Sequence, residues 1–113
     1  MEENVIYRYT LKQAEEDGVL VNILETWEHS LISHITANLL SKGYLEEKGK
    51  DLRIENLVDL LRQAIRKIFD ATPGSILEDF YSFEVEFPDG EKRTVYAQMN
   101  EIYRMTLMLP EDY

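Results

Sequence analysis

The chain has 113 residues, of which 44% are hydrophobic and 30% charged, and its formal net charge is −10. This length fits one domain with a single hydrophobic core, and the composition is typical of a folded globular protein. Cysteine is absent from the sequence, which excludes disulfides, thiolate metal sites and a cysteine nucleophile.

The acidic charge limits the classes of partner that the protein can bind, and the N-terminal sequence indicates its location. The excess of acids runs along the whole chain, and no third of it is net basic. Nucleic-acid phosphates and anionic lipids both require clustered positive charge, so we expect neither a nucleic-acid partner nor a membrane partner. The first ten residues, MEENVIYRYT, lack an apolar leader segment, and no stretch reaches the length of a membrane span. We therefore expect a cytoplasmic protein.

The N-terminal region alternates short elements. Residues 5–9 are rich in β-formers and predict a short strand. Thr10 and Gln13 have the spacing of a capping box, which predicts a helix that Gly18 ends. The apolar run 19–23 then predicts a buried strand or extended segment.

Two helices are predicted in the middle of the chain. Residues 25–42 place apolar side chains at helical spacing, and Gly43 follows as a stop signal. The polar stretch 44–51 predicts the longest exposed loop. The clearest helix follows, with Asp51 near its start, Pro73 and Gly74 after its end, and apolar residues three or four positions apart: Ile54, Leu57, Val58, Leu61, Ile65, Ile68 and Phe69.

The polar side of that helix carries two charge pairs at contact spacing. Asp59 precedes Arg62 by three positions, and Arg66 precedes Asp70 by four. Side chains at these spacings are neighbours on a helix surface. We expect these pairs to form, and they weigh against nucleic-acid binding through Arg62, Arg66 and Lys67.

The C-terminal third of the chain is predicted to form β-strands. Apolar and polar residues alternate over 81–87, Pro88 to Gly90 predicts a hairpin turn, and the chain returns over 94–99. Tyr103, Met105, Leu107 and Leu109 alternate once more. The sequence therefore predicts one α+β domain over residues 1–113, with helices packed on one face of a small antiparallel sheet that ends in a three-stranded meander.

The residues offer little recognisable chemistry. His29 and His34 are five positions apart, which turns them about 140° from each other on a helix, so they cannot share a metal ion as an i, i+4 pair does. No P-loop, dinucleotide fingerprint or GxSxG elbow occurs, and we expect no cofactor. Glu84 and Glu86 share one face of a predicted strand, which leaves a small metal-dependent hydrolase as an alternative function.

Aromatic and sulfur-containing side chains are the candidate interaction residues. Trp27 is of the type enriched in binding hot spots. Tyr103, Met105 and Met108 are predicted on the last strand. If that strand lies at a sheet edge, its free backbone groups offer a route to a homodimer.

Three blocks of sequence carry a family resemblance. They are AEEDGVLVNI at 14–23, FPDGEKRTVYAQ at 87–98 and TLMLPEDY at 106–113. The chain resembles a family of uncharacterised small bacterial, phage and plasmid proteins that have an EDGVLVDV-like N-terminal block and a TIMLPED-like C-terminal block. Asn22 stands where the family usually has an aspartate. The resemblance implies an association with mobile elements and no catalytic activity.

The first functional hypothesis is therefore a non-enzymatic cytoplasmic accessory protein, of mobile-element or viral origin, that acts by binding another protein. A sharper version makes it an acidic inhibitor that occupies a nucleic-acid-binding surface. The sequence does not identify the partner.

Overall fold

The computed structural model describes residues 10–46, 51–74 and 76–113. The predicted strand at 5–9 lies outside these residues. The described helices are α1 (Leu11–Glu16), α2 (Ala37–Leu40) and α3 (Ile54–Asp70), with a 3₁₀ turn at Pro110–Asp112. The strands are β1 (Leu20–Asn22), β2 (Ile32–Thr36), β3 (Phe80–Glu86), β4 (Lys92–Met99) and β5 (Met105–Met108).

The strands form one five-stranded sheet in the order β1-β2-β5-β4-β3. Strands β3, β4 and β5 are consecutive antiparallel neighbours, so the α+β class and the C-terminal meander are confirmed. The sheet is mixed, however, because β2 pairs with β5 in parallel. That pairing places β5 in the middle of the sheet and leaves β1 and β3 at its edges.

The helix predicted over 25–42 is wrong. Residues 32–36 form a central strand in which every side chain is buried, and only Ala37–Leu40 is helical. Ile32, Ile35 and Leu39 satisfy helical spacing, but they also fit a strand that leads directly into one helical turn. Pairing on both sides of β2 overrides the local helical pattern.

Helix α3 is confirmed and covers one face of the sheet. Its most deeply buried residues are Leu57, Leu60, Leu61, Ala64 and Ile68, which join Val85, Val95 and Leu107 of the strands in a single core. Arg53, not Asp51, is the N-cap residue, and it provides no side-chain cap. Burial of its apolar face against the sheet therefore stabilises this helix more than capping at its N-terminus does.

The β3–β4 hairpin closes where predicted. The amide of Phe87 donates to the carbonyl of Glu91 at 2.8 Å, and Gly90 adopts a positive φ of 87°. This turn packs on Gly43, where an added Cβ would lie 2.9 Å from Cγ of Pro88 at a φ of +113°. Glycine is required at residue 43 for both reasons.

Tyr44 begins the segment predicted as an exposed loop, yet it is fully buried. Its ring meets that of Phe87 edge-on, with centroids 5.8 Å apart. Among the described residues its hydroxyl has no hydrogen-bond partner, and burial, with smaller contributions from Asp59 and Asp89, raises the pKa of Tyr44 above its ordinary value. The buried hydroxyl therefore lowers the free energy of unfolding.

We predict that Tyr44→Phe raises the free energy of unfolding by about 1 kcal/mol, because it removes a buried unsatisfied group and keeps the ring. Tyr81→Phe is the matched control, since the hydroxyl of Tyr81 contacts that of Thr72 at 2.6 Å and accepts from the amide of Glu78 at 2.8 Å. That variant should lose about 1–2 kcal/mol. Urea unfolding of both variants measures the difference, and a destabilised Tyr44→Phe protein would contradict the assignment.

Candidate functional site

Two of the predicted interaction residues are inaccessible. Met105 and Met108 are buried in β5, which lies between β2 and β4. Strand β5 is therefore not the sheet edge on which the predicted homodimer route depended, because both sides of its backbone are already paired. Tyr103 lies before β5, in the β4–β5 turn, where it is 83% exposed and has a φ of 60°.

Glu84 and Glu86 are both exposed on one face of β3, as the alternation predicted. The two histidines contact other carboxylates. His34 meets Glu15 at 2.8 Å, and His29 lies 3.6 Å from Glu28. Within the described ranges, no three histidine or carboxylate side chains come together as a metal-binding group.

His34 belongs to a buried chain of polar side chains. Asn100 donates through Nδ2 to Ser33 Oγ at 2.9 Å, and Ser33 lies 2.6 Å from His34 Nδ1. The other ring nitrogen of His34, Nε2, lies 2.8 Å from Oε2 of Glu15. Ser33 is fully buried, and we assign this chain a structural role.

The same chain reaches the surface through the β4–β5 turn. Asn100 Oδ1 accepts from the amides of Ile102 and Arg104, each at 3.2 Å. The guanidinium of Arg104 then donates to the carbonyls of Glu28 at 2.7 Å and Ser30 at 3.0 Å. These bonds hold the loop between β1 and β2 against the β4–β5 turn.

An open groove of about 800 Å³ lies between the β1–β2 loop and α3. One wall is the loop segment 26–30, and the other is the outer side of α3. The apolar lining comprises Trp27, Val58, Leu61, Ile65 and Phe69. Trp27 was predicted as an interaction residue, and the structure places it in this groove.

The apolar wall on α3 adjoins the buried face of that helix, and Leu61 belongs to both. Val58 and Ile65 are only partly buried, and Phe69 is 59% exposed. The sequence predicted seven apolar positions at helical spacing on α3, with no division between the core and a second surface. At 3.6 residues per turn all seven positions fall within one stripe about 120° wide, which is an ordinary width for a core-facing stripe, so their spacing alone did not separate the groove wall from the core face.

Two arginines stand among the groove residues. Arg62 and Arg66 are exposed, and neither forms an ion pair within the described part of the chain. Asp59 accepts instead from Gln63 at 2.9 Å. The predicted pairs Asp59–Arg62 and Arg66–Asp70 are therefore wrong, and both guanidinium groups are available to a ligand.

No family model, no curated protein and no solved structure matches this chain. The family resemblance described above therefore stays a prediction. No helix in the described ranges is long and apolar enough to cross a membrane. The groove is thus the candidate site on its own geometry.

We predict that Arg104→Met loosens the groove wall. It keeps most of the apolar stem but removes the donor to the carbonyls of Glu28 and Ser30, which should cost about 1–2 kcal/mol of unfolding free energy. Trp27 is the only tryptophan, so a red shift of its emission reports the opened loop. Arg66→Met is the control, and an equal loss of stability in both variants would contradict the bracing role of Arg104.

Proposed function

We propose that the protein is a cytoplasmic accessory protein that binds an amphipathic helix of another protein in the groove between α3 and the 26–30 loop. The observation that carries this proposal is the apolar stripe of α3 that lines the groove beside Trp27 and ends in the exposed Phe69. Exposed contiguous apolar surface in a folded protein marks binding sites more often than isolated apolar side chains do. Tryptophan and arginine, which both line the groove, are the residues most enriched in binding hot spots.

The geometry favours a helix as the occupant. From Val58 to Phe69 the chain advances eleven residue steps, or roughly 16 Å along the axis at the rise of an α-helix. This length suits about three turns of a partner helix. The backbone of α3 is bonded within the helix, so this wall offers no main-chain partners to an extended peptide, whereas a helix satisfies its own backbone groups.

A second copy of the chain is a poorer occupant. Among the described elements, α1 and α2 are only six and four residues long, and α3 is itself the groove wall. The helix is therefore better supplied by a different protein, and the family resemblance favours a partner met in the life of a mobile element.

We predict that a display library of amphipathic helices, selected on the intact protein, enriches sequences with one shared apolar face. Phe69→Asp should abolish binding of the enriched helices, because it places a charge in the apolar stripe. Ile76→Asp is the matched control, since Ile76 is 85% exposed and does not line the groove. Binding is measured by quenching of Trp27 fluorescence, with unchanged melting temperatures as the test of folding.

Two outcomes would contradict the proposed function. One is a library that yields no enriched helix. The other is a set of helices that bind the Phe69→Asp protein as well as they bind the wild type, because their site would then lie elsewhere.

A further inference from the structure

We infer that the helix bound by this protein carries a pair of carboxylates one turn apart, and that Arg62 and Arg66 recognise them. The inference rests on the proposed function and adds the chemical class of the partner segment. It follows from the spacing, exposure and lack of ion pairs of the two arginines.

The two guanidinium groups are a matched pair. Arg62 and Arg66 are four positions apart on α3, so they lie on the same side of the helix and about 6 Å apart along its axis. Both line the groove beside the apolar stripe. A partner helix seated on the stripe would present its own i and i+4 side chains at the same interval. Arginine suits this role because its planar group binds a carboxylate through two parallel hydrogen bonds.

The acids of the groove do not cancel this pair. Glu28 is on the opposite wall, where His29 lies 3.6 Å from it. Asp70 follows Arg66 by one turn, at the C-terminal end of α3. Among the α3 residues that line the groove the charges therefore run positive, positive, negative, which favours two acids on the partner and disfavours a third beyond them.

The charge of the whole chain opposes an acidic ligand only weakly at this site. The formal charge of −10 is spread along the sequence, and at physiological salt charges more than about 8 Å apart are largely screened. A carboxylate in contact with Arg62 or Arg66 is well within that distance. Local attraction should therefore exceed the repulsion from the remaining acids.

The test uses one lactam-stapled amphipathic helix of about 14 residues, long enough for the groove at 1.5 Å per residue, in three versions. They share the apolar face selected on the intact protein and carry glutamate, glutamine or lysine at the i and i+4 flanking positions. We expect the glutamate version to bind about fivefold tighter than the glutamine version, as two exposed ion pairs provide, and the lysine version to bind weakest. Trp27 quenching gives the affinities.

Charge reversal identifies the residues. Arg62→Glu with Arg66→Glu should invert the order, so that the lysine helix binds best. Lys67→Glu makes the same kind of change at an exposed position of α3 outside the groove, and it should leave the order unchanged. Melting temperatures of both proteins check that they remain folded.

The other outcomes contradict either the carboxylate inference or the proposed function. Equal binding of the three helices, or an order that the reversal does not invert, overturns the carboxylate inference and leaves helix docking intact. Failure of all three to bind overturns the proposed function itself. Tighter binding of a single-stranded oligonucleotide, added as a competitor, overturns the inference in favour of a nucleic-acid ligand for the same arginines.

Discussion

The parallel pairing of β2 with β5 is the constraint on which the rest of this structure depends. It buries an entire strand that carries three polar side chains, Ser33, His34 and Thr36. Each must find a partner, because an unsatisfied polar group in the interior costs about 1–3 kcal/mol. The partners come from distant parts of the chain, so satisfying them ties the N-terminal and C-terminal regions together.

Thr36 shows how this works. Its hydroxyl donates to Asp112 at 2.7 Å and accepts from the amide of Leu39 at 3.2 Å, where α2 begins. Asp112 also accepts from the amide of Leu109 at 3.0 Å. One buried threonine therefore starts a helix and fixes the C-terminal turn. The acids of the LPED block have a structural role in this arrangement.

The candidate site is a consequence of the same pairing. Since β2 lies beside β5, the loop that leads into β2 comes next to the β4–β5 turn. Arg104 can then bind the carbonyls of Glu28 and Ser30. These bonds position the loop beside the outer side of α3, and the groove is the space between the loop and the helix. Asn100 links this wall of the groove to the buried chain around His34 through the turn.

The elements that depend on local pattern were predictable from the sequence. The capping box of Thr10 and Gln13, helix α3 and the β3–β4 hairpin all formed as predicted, because each is determined by residues a few positions apart. Strand β2 was not predictable, since its apolar spacing fits a helix equally well and its polar residues are satisfied by Glu15 and Asn100, far away in sequence. The predicted edge strand failed for the same reason, because only the long-range pairing places β5 at the centre.

The site was predictable in part. Trp27 was identified by residue type alone, whereas the groove-lining positions of α3 could not be told apart from its core face, because all seven apolar positions share one stripe about 120° wide. The role of Arg62 and Arg66 was hidden, because spacing indicated that each had an acidic neighbour. Only the three-dimensional structure shows that Asp59 is bound to Gln63 instead.

The most direct test of the account is an NMR titration of the ¹⁵N-labelled chain with the stapled helix that carries two glutamates. If the groove is the binding site, the amide signals that shift belong to residues 26–30 and to the 58–70 side of α3, while those of the β3 edge stay in place. Shifts confined to the β3 edge, or to the aromatic cluster of Phe80, Tyr96 and Tyr113, would contradict the account.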